Sequence, residues 1–211
     1  MPEPCRRSAD ALAVDDLTVS WIAPPTHRLT VCASSAAART LDDWQFSLDE
    51  GPCLDAVRRN VPSGAEVADP DATPWPLLAA KALDLGYAAI AGVPIALGAA
   101  SFAAINLQSR SGPIAMVTTE LATALAAALA HPLAEALSGT LTYDRVVGSD
   151  LLSQATGMVS VQMGVTVAEA LNVLRARAWS EDRLLNAIAG DVVDRRLRFA
   201  LPGDDAGEAE E

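Results

Sequence analysis

The sequence predicts a mixed α/β (α+β) domain followed by an all-α module of three helices. Three observations predict this. The first half carries short apolar runs bounded by proline and glycine, as strands are. A segment dense in alanine and leucine follows. The last third carries three successive patterns in which apolar residues recur at helical spacing on one side. A chain of 211 residues has room for one or two domains, each able to bury a core.

The strand candidates are Leu17 to Ile22, Leu29 to Ala33, Ala88 to Ile95 and Phe102 to Leu107. The Gly98-containing link between the last two suits a hairpin. Gly51-Pro52-Cys53 reads as a helix start that places a small buried thiol. Trp75 to Leu85 reads as a helix ending at Gly86. Glu120 and Glu135 then enclose fourteen uncharged residues, with Leu121, Leu125, Leu129 and Leu133 at i+4 spacing. Fourteen is too few to cross a bilayer, and Pro132 interrupts them. Such density points to burial against another helix. Burial against the domain's own sheet is the alternative, and opposite faces can do both.

Leu151, Leu152, Ala155, Met158, Val159 and Met163 mark the first helix of the last third, which Gly164 ends. Thr166 with Glu169 forms a capping box. The second helix carries the stripe Val167, Leu171, Leu174 and Ala178. Ser180 is a candidate N-cap for the third, whose buried face is Leu185, Ile188, Ala189, Val192 and Leu197. Helices with one apolar side must pack on one another. Ala155, Ala178 and Ala189 would allow close approach. Asp191 with Arg195, and Asp194 with Arg198, are i, i+4 pairs that together with Arg196 suit a helix C-terminus. Arg175 and Arg183 have no carboxylate three or four residues away in their own helix, so they are freer to meet phosphate.

The net charge of −12 excludes gathering of nucleic acid by bulk electrostatics. From Thr140 to Ala200, however, seven arginines face seven carboxylates, so any RNA recognition there is local. Gly203 to Glu211 holds five carboxylates and no base, and reads as a disordered acidic tail. The two histidines, His27 and His131, belong to no catalytic motif, and the adjacent carboxylates Asp42-Asp43 and Asp49-Glu50 read as solvated. The expectation is a protein that is not an enzyme. Cys5, Cys32 and Cys53 lie too far apart for a metal knuckle, and their odd number argues against a disulfide framework. No metal and no cofactor is expected. Met1-Pro2-Glu3-Pro4 opens without an apolar stretch, so the expected location is cytoplasmic.

Trp44-Gln45-Phe46-Ser47-Leu48-Asp49-Glu50-Gly51-Pro52-Cys53-Leu54-Asp55-Ala56 is followed by Asp69, Trp75-Pro76, Gly86, Val93-Pro94-Ile95 and Ala104-Ile105-Asn106-Leu107. This order, over roughly Ala11 to Ser138, resembles the GAF domains that precede ANTAR domains in actinobacterial regulators. The block Gln154-Ala155-Thr156-Gly157-Met158, with Ala178 and Ala189 framing a turn, resembles the ANTAR domain over roughly Leu141 to Phe199. The resemblance implies a GAF-like antiparallel sheet with flanking helices over residues 1–116, with a small-molecule pocket on one face. It implies a connecting helix at 117–140 that joins a homodimer. It implies an RNA-binding three-helix ANTAR domain at 141–200 and leaves residues 201–211 as the tail. ANTAR domains bind paired stem-loops in nascent messenger RNA and prevent transcription termination.

Gln154 and Thr156 lie in the block most specific to the ANTAR resemblance, where they would face a base edge. A solvent-facing helix side is the alternative. Thr156 stands where the family commonly carries lysine. The expected RNA face is thus Gln154, Thr156, Arg175 and Arg183. The Asn-Lys-Phe-Asp-Glu set of cyclic-nucleotide GAF domains is not found, and His27 beside two prolines is a poor haem ligand. The signal is an unknown small molecule or protein. The competing readings are a ligand-sensing dimer, or a protein–protein adaptor whose ANTAR-like module does not bind RNA.

Overall fold

The structure is a computed structural model that describes residues 3–23, 27–69, 72–140 and 147–199. The acidic tail and Arg145 lie outside the described residues. The chain divides into two compact units, Met1–Thr142 and Tyr143–Glu211.

The first unit runs α1 (Glu3–Ala11), β1 (Asp16–Ala23), β2 (His27–Ala33), α2 (Ala36–Leu48), α3 (Pro52–Arg59), β3 (Ser63–Glu66), α4 (Pro76–Asp84), β4 (Ala89–Leu97), β5 (Ala100–Ser109) and α5 (Met116–Thr140). The strands form one sheet in the order β2-β1-β5-β4-β3, with every neighbouring pair antiparallel. The β4–β5 hairpin turns at Gly98, whose φ of +63° is one that glycine adopts without strain. β3 gave no sequence signal because Ser63-Gly64-Ala65-Glu66 is an edge strand with alternate residues exposed and no large apolar side chain.

The two faces of the sheet differ in chemistry. Leu17, Val19, Val93, Ile95, Ile105 and Leu107 point to one face and form the main core beneath α1 and α5. The buried residues of α5 in that core are Ala122, Ala126 and Ala130, while Leu125, Leu129 and Leu133 are only partly buried and Leu121 is exposed. The expected leucine stripe thus packs only at the core's edge, through Leu125, Leu129 and Leu133, while the alanines fill its centre. Alanine lets the helix approach the sheet more closely than leucine would, and α5 lies on β4 rather than on another helix of this unit. The helix also runs through Pro132. Pro132 and Ala128 are both exposed, so water can meet the carbonyl that loses its donor. From Met116 to Ser138 the helix has the length and apolarity of a membrane span. A core helix can have the same length and apolarity, and Ala122, Ala126 and Ala130 of this one pack in the core of the sheet.

A second correction concerns the cysteines. Cys5 and Cys32 form a disulfide, with Cα atoms 6.0 Å apart. The odd count misled because the third cysteine, Cys53, is buried and free elsewhere in the unit. The short helix α1, which carries no strong sequence signal, lies beside β1 and β2 and brings Cys5 to Cys32.

The second unit runs α6 (Val147–Met163), α7 (Val167–Ser180) and α8 (Leu185–Val193). Gly164 ends α6 at a φ of +64°. The Thr166–Glu169 capping box is formed on both sides: Thr166 Oγ1 accepts from Glu169 N, and Glu169 Oε2 accepts from Thr166 N. Each pair of the three helices is in contact. Ala155, Ala178 and Ala189 are fully buried with Leu152, Val159, Leu174, Leu185, Ile188 and Val192. Val167 is exposed, and Ala170 takes its place in the buried stripe. Ser180 closes α7, donating from Oγ to the Arg177 carbonyl, and Leu184 is the N-cap of α8. The expected Ser180 cap fails because a four-residue turn separates the helices.

Candidate functional sites

The second face of the sheet is polar. Asp16, Thr18 and Ser20 of β1, Thr30 of β2, and Asn106 and Gln108 of β5 are all buried. The strand alternation that puts apolar residues on one face puts these on the other, under α2 and α3. Asp42 of α2 organises the middle of it. Its Oδ2 accepts from Ser20 Oγ and Thr30 Oγ1, both at 2.7 Å, and its Oδ1 accepts from Asn106 Nδ2 at 3.1 Å. Arg28, whose side chain is 8% exposed, pairs with Asp42 at 3.0 Å and also with Asp43. Asn106 donates to Thr18 as well and accepts from Gln45 Nε2. Burial holds the Asp43 carboxyl above its ordinary range despite Arg28. Asp42 and Asp43, expected as solvated neighbours, are parts of a buried network. Arg28 pairs with both carboxylates and offsets one of the two charges, and the oxygens of Asp42 accept from donors on three strands.

Residues 49–56 also have identifiable structural tasks. Gly51 precedes α3 with φ +135°, and a Cβ there would meet Gln45 Oε1 at 2.4 Å. Pro52 takes the first helical position, where no N–H is needed. Cys53 N donates to Gln45 Oε1 at 3.1 Å. Glu50 Oε2 accepts from Leu77 N and Leu78 N, capping the start of α4. Asp55 accepts from Trp75 Nε1 at 3.2 Å, which joins the two tryptophan-bearing motifs of the sequence. Burial, with the Asp42 charge, pushes the Cys53 thiol up to about 12. A thiol so placed is a packing group rather than a nucleophile. At the other end of β1, Asp16 accepts from Ser34 Oγ, Tyr87 Oη and Arg110 Nη2. Burial alone would raise its carboxyl, but these donors hold it below the ordinary range. Among the described residues, no group of three or more His, Cys, Asp and Glu could hold a metal ion.

In the three-helix unit the expected RNA face separates. Gln154 is exposed on α6. Thr156, two residues on, is 0% exposed and donates from Oγ1 to the Leu152 carbonyl at 2.6 Å. It packs in the core rather than facing a base, because α6 turns position 156 toward α7 and α8 together with Ala155, Leu152 and Val159. Arg183 donates to Glu181 at 2.9 Å and to Asp191 at 2.6 Å, across the turn that links α7 to α8. The premise that it lacks a carboxylate partner is therefore corrected. Its partners stand two and eight residues away, spacings that a helix-based search passes over. Arg175 is half-buried on α7.

The C-terminal arginines exchange roles with them. Asp191 pairs with Arg183 and Arg196, not with Arg195, and Asp194 pairs with Arg196, not with Arg198. The reason is that α8 stops at Val193, and Arg195 takes a left-handed φ of +61°. This turns the chain back, where Phe199 N donates to Gln162 Oε1 on α6 at 3.0 Å. A groove of about 780 Å³ results, lined by Gln154, Met158, Gln162, Arg195, Arg198 and Phe199 among others. Of the four expected residues only Gln154 lines it.

No family model and no curated protein matches this chain. Solved structures do. The GAF domain region of a protein from Geobacter sulfurreducens is similar at TM-score 0.50 and 15% identity, over 64% of this chain and 90% of that one. The GAF domain of an Acinetobacter phosphoenolpyruvate-protein phosphotransferase gives TM-score 0.49 at 14% identity, over 65% and 81%. A GAF domain/HD domain protein from Geobacter sulfurreducens gives 0.48 at 13%, over 63% and 88%. At such identities the likeness concerns fold alone, and the first comparison carries it. The five-stranded antiparallel sheet with helices on both faces gives the first unit a GAF-like fold.

Proposed function

We propose that this chain is a signal-responsive regulator that binds paired RNA stem-loops and controls transcription termination by antitermination. In this reading the GAF-like unit receives a small-molecule or protein signal, and the chain works as a cytoplasmic homodimer without catalysis. The three-helix unit carries the RNA site. The observation that supports the reading most is the groove between α6 and the segment after α8. It sets two arginines, Arg195 and Arg198, beside the amides of Gln154 and Gln162 and the ring of Phe199. Unpaired loop bases are recognised by such sets, with cations on phosphate, amides on base edges and a ring for stacking. The ANTAR resemblance of Gln154 to Met158 points to the same helix.

The test is RNA recovered by crosslinking from cells. The reading expects enrichment of two closely spaced hairpins with short loops. Recovery of no structured RNA would refute it. A second reading has its own observation. Val161 is 84% exposed and lines the same groove, and Trp179 of α7 is also exposed. Large exposed apolar side chains suit a protein partner, so the adaptor reading predicts a stoichiometric protein complex in place of RNA.

A further inference from the structure

The disulfide joins a short, thinly packed helix of the first unit to its sheet. Helix α1 has nine residues and buries only Cys5 and Ala9. A helix of that length is marginal in water by itself. Its side-chain hydrogen bonds among the described residues are exposed ion pairs within the helix, Arg6–Asp10 and Arg7–Glu3, and a long bond from Arg6 to the Asp15 carbonyl. Beyond the buried Ala9, the Cys5–Cys32 bond ties the helix covalently to β2. The bond also borders a pocket of about 160 Å³, whose walls include Cys5, Cys32, Val31, Leu125, Leu129 and Leu133. Cys32 is partly exposed while Cys5 is buried. The three leucines belong to α5, the last helix of the unit.

We propose that Cys5–Cys32 is a thiol–disulfide switch that latches α1 over the leucine flank of α5. A thiolate of a dithiol reductant attacks the Cys32 sulfur, the more accessible of the two. The S–S bond breaks, and Cys5 leaves as thiolate and takes a proton. The second thiol of the reductant then displaces Cys32 from the mixed disulfide. Cys5 and Cys32 end as thiols, and the reductant ends as its disulfide, two electrons and two protons having passed between them. Without the tether α1 detaches and the flank of Leu125, Leu129 and Leu133 opens to solvent. Cys53 takes no part, since it lies on the opposite side of the sheet among Ile22, Leu54 and Ala104. This inference does not rest on RNA binding.

The test uses the full chain equilibrated in dithiothreitol at graded ratios of reduced to oxidised form. Alkylation after denaturation should count one thiol at the oxidising end and three at the reducing end. Hydrogen–deuterium exchange should then show residues 3–11 exchanging at least tenfold faster in the reduced form, with a smaller rise across 121–133. The β4–β5 hairpin should stay unchanged. A Cys5→Ser, Cys32→Ser double variant should match the reduced wild type and ignore the redox buffer. Three thiols at every ratio would overturn the proposal. So would reduction that leaves the exchange of 3–11 unchanged, or reduction that speeds exchange throughout the sheet, which would mark a purely structural bond.

Discussion

Replacing Asp42 by alanine tests whether the polar face of the sheet is a structural network. Asp42 accepts three neutral hydrogen bonds and pairs with the buried Arg28. The substitution leaves Asp43 as the only carboxylate on Arg28, and it strips acceptors from Ser20, Thr30 and Asn106. Removing one partner of a buried ion pair costs about 3–5 kcal/mol, because the other charge stays buried. Asp43 offsets part of that. The orphaned hydroxyls and amide restore it, at about 1 kcal/mol or more each. A net loss of roughly 3–5 kcal/mol follows, which for a protein of this size lowers Tm by roughly 6–20 °C. Thermal unfolding followed by circular dichroism measures it, with the sheet signal reporting the first unit. Asp42→Asn, which keeps one acceptor oxygen for Ser20, Thr30 or Asn106, should cost less than Asp42→Ala. A loss under about 1 kcal/mol for Asp42→Ala would contradict a stabilising role for this network.

Three further outcomes follow from other parts of the fold. Gly92→Ala places a Cβ 2.4 Å from the Pro52 carbonyl oxygen and 2.8 Å from Cys53 N. Both are backbone atoms, so α3 must shift, and chemical denaturation should show a loss of about 1–3 kcal/mol. Cys53 should resist iodoacetamide in the folded protein at pH 8, where a thiol held at about 12 is only about one part in ten thousand thiolate; rapid native labelling would contradict that burial. The Asp16 carboxyl is held low when folded, so its stabilisation is present above about pH 4 and is lost as pH falls through the lowered folded value. Asp16→Asn should therefore cost stability at pH 7, and the gap to wild type should narrow toward pH 3. A constant gap would show that the shift is absent.

Where local chemistry decided the structure, the sequence was readable. The four apolar strands, the Gly98 hairpin, the Thr166–Glu169 box and the alanines of the three-helix core depend on near neighbours and on periodicity. The misses depend on tertiary arrangement. β3 is an edge strand with nothing apolar to mark it. The disulfide joins residues 27 apart through a helix too short to stand out. Leucine outranks alanine in hydrophobicity, yet on α5 the alanines sit deepest because they allow close approach, and Leu125, Leu129 and Leu133 pack at the edge. The groove was missed for a similar reason. The spacing of Arg195 and Arg198 predicts helical i, i+4 pairs, but α8 ends at Val193, and Asp191 and Asp194 pair with Arg183 and Arg196 instead. Nothing in the local sequence there, where glycine is absent, signals the left-handed Arg195.

The proposed binding of hairpin RNA in the groove of the three-helix unit is tested by filter binding across a salt series. The ligand is a synthetic RNA with two short-loop hairpins. Arg195→Ala and Arg198→Ala should each weaken binding about tenfold and reduce the salt slope by roughly one unit. Gln154→Ala should change which loop sequences bind, because a base contact carries identity and a phosphate contact does not. Unchanged affinity and slope in both arginine variants, with wild type binding the same RNA, would contradict the claim.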